Sequence, residues 1–197
     1  IKIIFVSYVP AVVFFFPKQT TAIQLDTNHS DKFYVEINSA LDFSPENFTE
    51  SLNYLKSFDI VHYHRTLHHD LNIMRAVATQ LRMNDTKLVV DIDDYWELDE
   101  THPMYGDSKR NGLHIQILEN LRLADYITTT TEVYAREIER AIKKAKVIVL
   151  PNAVDPDTMY QFKDNRKLDP NGLVRIVYSA GSSHKHDVDL LKGTFKI

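Results

Sequence analysis

The chain has 197 residues, 44% of them hydrophobic, with a formal charge of -4 and no cysteine. That is enough apolar mass for a substantial core, while interspersed charges leave no basic stripe of the kind that tracks a phosphate backbone. Disulfides and thiolate metal sites are excluded, nucleic acid is not expected as a partner, and a reducing, cytoplasmic setting is the expectation.

The first element is an apolar run of strand length, Ile1 to Val6. It opens the stretch "IKIIFVSYVPAVVFFF", which Pro10 interrupts and Pro17 and Lys18 stop, too short for a bilayer span and without a basic leader or cleavage site. The missing initial Met and the ending "KGTFKI" suggest part of a longer protein. Phe33 to Ile37 is a second, weaker strand candidate. "SFDIVHYHR" reads as a buried strand over Ile60 to Tyr63 whose end turns polar. Leu71, Met74, Ala78 and Leu81 then recur at helical spacing, and Lys87 to Ile92 is strand-like again. Strand, helix and strand in about 35 residues is the length of a parallel crossover unit.

The spacing predicts one amphipathic helix from Asp107 to Ala124, a β-branched strand at "DYITTTT", and a helix from Thr131 whose shared face holds Val133, Tyr134, Ile138, Ala141, Ile142 and Ala145. On its polar side Glu132 with Arg136 and Glu139 with Lys143 stand at i,i+4. "KVIVLPN" is the next strand. Residues 155–172, with Pro156, Pro170 and Gly172, form the best linker candidate, and "VRIVYSAGSS" with "HDVDLLKGTFKI" resumes as strand, turn and helix. An open, mostly parallel sheet binds ligands beyond the C-terminal ends of its strands. "HYHR", "DIDD", "TTTT" and "PNAVD" all fall at such ends.

The polar clusters admit several chemistries. His62 and His64 alternate onto one strand face, with His68, His69 and Asp70 close behind, a cluster compatible with zinc but without an independent third ligand at regular spacing. Arg65 suits either an anionic substrate or a structural ion pair. Asp91 and Asp93 form a DxD that can hold a divalent ion on a diphosphate. The same stretch resembles the first motif of haloacid dehalogenase-type phosphatases, which would make Asp91 a nucleophile, with a Thr of "DYITTTT" and Lys143 or Lys144 as further motifs. Tyr95 stands where that family prefers Thr or Val, and the motif comes late in the chain. The plainest alternative is a polar strand end, with Asp94 capping the next segment.

A resemblance extends over most of the chain. "FDIVHYHRTL", "KLVVDIDDYWEL", "LADYITTTTEVYAREI", "VIVLPNAVDP" and "VRIVYSAGSSHKHDVDLL" follow the order and spacing of GT-B nucleotide-sugar glycosyltransferases, and most resemble the retaining group of bacterial polysaccharide and lipid glycosylating enzymes. The resemblance implies an α/β fold. A Rossmann-like acceptor-side domain would cover residues 1–154, a linker 155–172, and the first strand and helix of a truncated donor-binding domain 173–197. It implies transfer of a sugar from a nucleotide-diphosphate donor to a carbohydrate, lipid or protein hydroxyl, with Asp93 and Asp94 as catalytic residues and His64 and Arg65 binding the acceptor. Gly181, Ser182, Ser183 and Lys185 would hold the donor phosphates at a helix-opening turn, with no cofactor and no essential metal. Residues 1–197 alone would not turn over, and peripheral membrane contact is compatible with such a role. The chain departs from these relatives in three places: no glycine precedes residue 106, Asp93 stands where many carry His, and Ala153 replaces a Gly. Other readings left open are the phosphatase and a non-catalytic flavodoxin-like binding module.

Overall fold

The computed structural model describes residues 1–6, 32, 34–38, 41–152, 172 and 189. The chain divides into two compact units, Ile1–Glu97 with Gly112–Ala153, and Leu98–Asn111 with Val154–Ile197. The linker and second-domain expectations lie outside the described residues except at Gly172 and Asp189.

The first unit is a parallel α/β sheet of Rossmann-like type. Its strands are β1 (Lys2–Val6), β2 (Tyr34–Asn38), β3 (Ile60–His64), β4 (Lys87–Asp91), β5 (Tyr126–Thr129) and β6 (Val147–Val149). They lie in the order β2-β1-β3-β4-β5-β6, every neighbouring pair parallel. Among the described residues the helices of this unit are α1 (Phe48–Lys56), α2 (Leu71–Met83), α4 (Leu113–Leu123) and α5 (Glu132–Ala141), and the second unit has α3 (Tyr105–Arg110). No helix among the described residues is long and apolar enough to cross a membrane.

Register explains which side chains face the core. Ile4, Val61 and Leu88 form one cross-strand row, and Val6, Tyr63 and Val90 the next, all buried. α1, α2 and α4 cover this face, with α2 packed on both of its neighbours and their side chains Leu52, Leu55, Met74, Val77, Leu81, Ile117 and Leu121 completing the core. The opposite face carries Phe5, His62, Val89 and Tyr126 in one row, only half-buried, then His64, Asp91 and Thr128 at the C-terminal edge. Period-2 alternation therefore puts an apolar row and a polar row on opposite sides of the same strands.

The two ends of the sheet differ. At the N-terminal edge, carboxylates close the first amides of neighbouring strands: Asp59 accepts from Lys2 N–H at 2.7 Å and Asp125 from Leu88 N–H at 2.9 Å. Helix starts are capped similarly, with Asp70 accepting from Asn72 and Ile73 N–H and Thr131 from Tyr134 N–H. The C-terminal edge instead brings side chains of opposite type, His64 and Arg65 with Asp93 and Asp94, against one another.

Several expectations need correction. The helix expected over Asp107–Ala124 is broken at Asn111 and Gly112, where Gly112 adopts φ 61 before α4 begins. α1 was not expected at all. On α5, Ala135, Ile138 and the following Ile142 are buried, whereas Val133 and Ala141 are exposed, because the helix stops at Ala141 and Ile142 is extended. The ion pair described on this helix joins Glu137 and Arg140 at i,i+3, not the two i,i+4 pairs.

Asn120 links the core to the functional edge. Fully buried on α4, it accepts from Leu67 N–H at 3.2 Å through Oδ1 and donates to Gln116 O at 2.8 Å. Asn120→Leu keeps the branched side-chain shape but strands the buried Leu67 amide, so urea unfolding is expected to show a loss of about 1–3 kcal/mol.

Candidate functional site

At the end of β3 the chain turns within three residues: Thr66 N–H donates to His64 O at 2.7 Å. Arg65, at the centre, has φ 57, a conformation that non-glycine residues adopt at a cost. Its own N–H still donates to Asp91 O at 2.9 Å, so the turn remains pinned to β4. Ile92 N–H donates to Thr128 O at 2.9 Å and thereby carries β4 one residue beyond its formal end alongside β5.

Two side-chain pairs then join the β3 end to the segment leaving β4. His64 Nε2 lies 3.0 Å from Asp93 Oδ1, and the Arg65 guanidinium pairs with the Asp94 carboxylate. The hydrogen bond from His64 holds the Asp93 carboxyl down to about 2, with the charges of His64 and Arg65 adding to it and partial burial opposing it. Asp93 is thus an ionised acceptor across the physiological range. Asp94 is the more open partner, its side chain 76% exposed. The four expected rim residues, His64, Arg65, Asp93 and Asp94, are brought together as interlocked pairs.

Asp91 has a different environment. It is buried, and its Oδ1 accepts from Thr128 Oγ1 at 2.6 Å. This bond crosses from β4 to β5 on the half-buried sheet face, one end of the His64, Asp91 and Thr128 row. The segment that Asp94 was expected to cap is not a helix, since none begins after it before Tyr105, and its side chain pairs with Arg65. The histidines diverge: His68 stacks on His69 and meets Phe43 edge-on, whereas His62 lies against Phe5. Among the described residues no three His, Asp or Glu side chains form a group that could hold a metal ion. Gly181, Ser182, Ser183 and Lys185 lie outside the described residues.

Residues that sequence reasoning left out complete the rim. Tyr134, in the first turn of α5, donates its hydroxyl to Asp94 O at 2.5 Å. Burial pushes its phenol well above the ordinary range, so it remains a donor. Trp96 is buried and stacks on Tyr134 with centroids 5.9 Å apart, and Tyr95 stacks on Trp96 at 4.4 Å. The available signal was the aromatic pair directly after "DIDD" and the Tyr three residues into the helix after "TTTT".

No protein-family model matches the sequence, and the search of curated proteins finds no relative. The fold and the rim therefore carry the functional reading.

Two measurements test this geometry. In a carboxyl-detected NMR titration Asp93 is expected to titrate near 2, and in His64→Ala to rise toward the ordinary value of about 3.9. Because its folded value is depressed, the interaction stabilises the fold above the ordinary value and is lost as pH falls through about 2. At Arg65, glycine relieves the positive-φ strain that alanine retains. Arg65→Gly is expected to unfold with about 1 kcal/mol more free energy than Arg65→Ala, although both lose the pair with Asp94.

Proposed function

We propose that this chain is the acceptor side of a GT-B glycosyltransferase that moves a sugar from a nucleotide-diphosphate donor to a hydroxyl acceptor. The reading rests on one observation above all. The C-terminal rim of a parallel Rossmann-like sheet, where such sheets bind ligands, gathers His64, Arg65, Asp93 and Asp94 into two crossed-over pairs. An ionised carboxylate accepts hydrogen bonds only, which suits it to receive and orient hydroxyl groups. In this proposal Asp93 and Asp94 orient the acceptor and assist loss of its proton, and His64 and Arg65, each paired with one of them, bind the acceptor with them. A donor-binding half begins near residue 173, after a linker over 155–172. There Gly181, Ser182, Ser183 and Lys185 neutralise the leaving diphosphate through amides, a helix end and a cation. Rate enhancement comes mainly from positioning and charge stabilisation.

The proposal needs no metal and no cofactor beyond the donor. It places the protein in the cytoplasm, with peripheral membrane contact when the acceptor is a lipid, and gives nucleic acid no role. The phosphatase reading has less support, because Asp91 is buried and engaged by Thr128 rather than open to attack a phosphate. A non-catalytic binding module is favoured by one feature: the order β2-β1-β3-β4-β5 is that of flavodoxin-type winding.

Turnover by a full-length protein carrying both halves is expected to survive EDTA, whereas a DxD-type transferase or a phosphatase would lose it. Asp93→Asn is expected to cut transfer at least about tenfold with donor affinity unchanged by calorimetry. Weakened donor binding in Asp93→Asn, with manganese or magnesium restoring activity after chelation, would place the carboxylates on the phosphate side and contradict the proposal.

A further inference from the structure

Directly after the acidic pair, Tyr95 is 50% exposed although its ring is well anchored. One face lies on Trp96, with centroids 4.4 Å apart and planes at 26°. Trp96 is only 7% exposed and stacks in turn on Tyr134, whose hydroxyl is tied to the Asp94 carbonyl. Three aromatic rings from two elements thus brace one another beside two carboxylates. Half-exposed aromatic surface is held rigid, so little side-chain entropy remains to be lost when a ligand covers it.

We propose that Tyr95, backed by Trp96 and Tyr134, is a stacking platform for the apolar face of a pyranose ring, so that the acceptor is a carbohydrate. This rests on the acceptor-side role given above to Asp93 and Asp94. A pyranose presents C–H bonds on one face and hydroxyls around its edge. The platform meets the first through the tyrosine ring, and the neighbouring carboxylates accept from the second. A nucleobase would stack on the same ring but bring its phosphates toward two carboxylates, a repulsive arrangement. An alkyl chain would desolvate those carboxylates and return no hydrogen bond.

Trp96 is the only tryptophan in the sequence, so its fluorescence reports this position alone. The 197-residue chain is titrated with maltose, lactose and chitobiose, and separately with glycerol and with UDP. A saturable change is expected with at least one disaccharide, none with glycerol, and a weaker response to UDP than to that disaccharide. Tyr95→Phe is expected to retain the affinity, while Tyr95→Leu, which keeps apolar cover over Trp96, weakens it about tenfold. Undiminished sugar binding by Tyr95→Leu would overturn the platform, as would a response to UDP with none to the three disaccharides, or no response to any probe. Failure of the transferase reading would look different. Sugar binding with no sugar transfer by the full-length protein upholds the platform and removes the enzyme, whereas transfer with an unchanged acceptor KM in Tyr95→Leu removes only the platform.

Discussion

The turn centred on Arg65 is the constraint on which the rim depends. One residue adopts a left-handed conformation so that its amide stays on β4 while its side chain reaches the segment that β4 releases. A β-conformation there would continue the alternation of the strand and carry Arg65 to the opposite sheet face from His64. Both side chains instead meet consecutive aspartates after β4. Backbone strain of this kind persists where the surroundings over-determine it. Here the Asp91 carbonyl, the buried Asn120 holding Leu67, and the Asp94 pair supply that determination.

From this turn the electrostatics follow. His64 bonds Asp93 and Arg65 pairs with Asp94, so each of two adjacent carboxylates has its own partner, and Asp93 is held ionised. Asp91, two residues before Asp93, faces the sheet and is bonded to Thr128, so its role is to lock β4 to β5. The three acidic residues of "DIDD" are therefore not one site: the first is a buried structural acceptor, and the other two form an exposed, partnered pair. Tyr134 binds the carbonyl of Asp94 and completes the link from β3 through the β4 exit to α5.

Much of the sheet was legible because its strands are largely apolar runs, and parallel pairing sets the polar ends of β3, β4 and β5 side by side, while most of "PNAVD" lies outside the described residues. The expected runs at Ile1, Phe33, Ile60, Lys87 and Tyr126 correspond to observed strands within a residue or so. α1 was not legible: its apolar positions, Phe48, Leu52 and Leu55, are separated by polar residues in a nine-residue span, short for a periodicity signal. The break at Gly112 was missed because the periodic residues Leu113, Ile117 and Leu121 all belong to α4 and say nothing of where the helix before it ends. At the rim, residue types pointed to His64, Arg65, Asp93 and Asp94. Their pairing did not show in the sequence, because it depends on parallel register between strands about thirty residues apart. Tyr134 reads as an ordinary apolar position, and only its contacts with the Asp94 carbonyl and the Trp96 ring reveal it as part of the rim.

The central claim is that this rim orients a hydroxyl for sugar transfer. Its most direct test is to incubate the full-length protein with a panel of nucleotide-sugars and candidate glycan acceptors, following nucleoside diphosphate release and acceptor mass together. The account predicts nucleoside diphosphate released in step with a single sugar-sized mass increment on the acceptor. Inorganic phosphate released from phosphate esters with no such increment, or tight ligand binding with neither product, would contradict it.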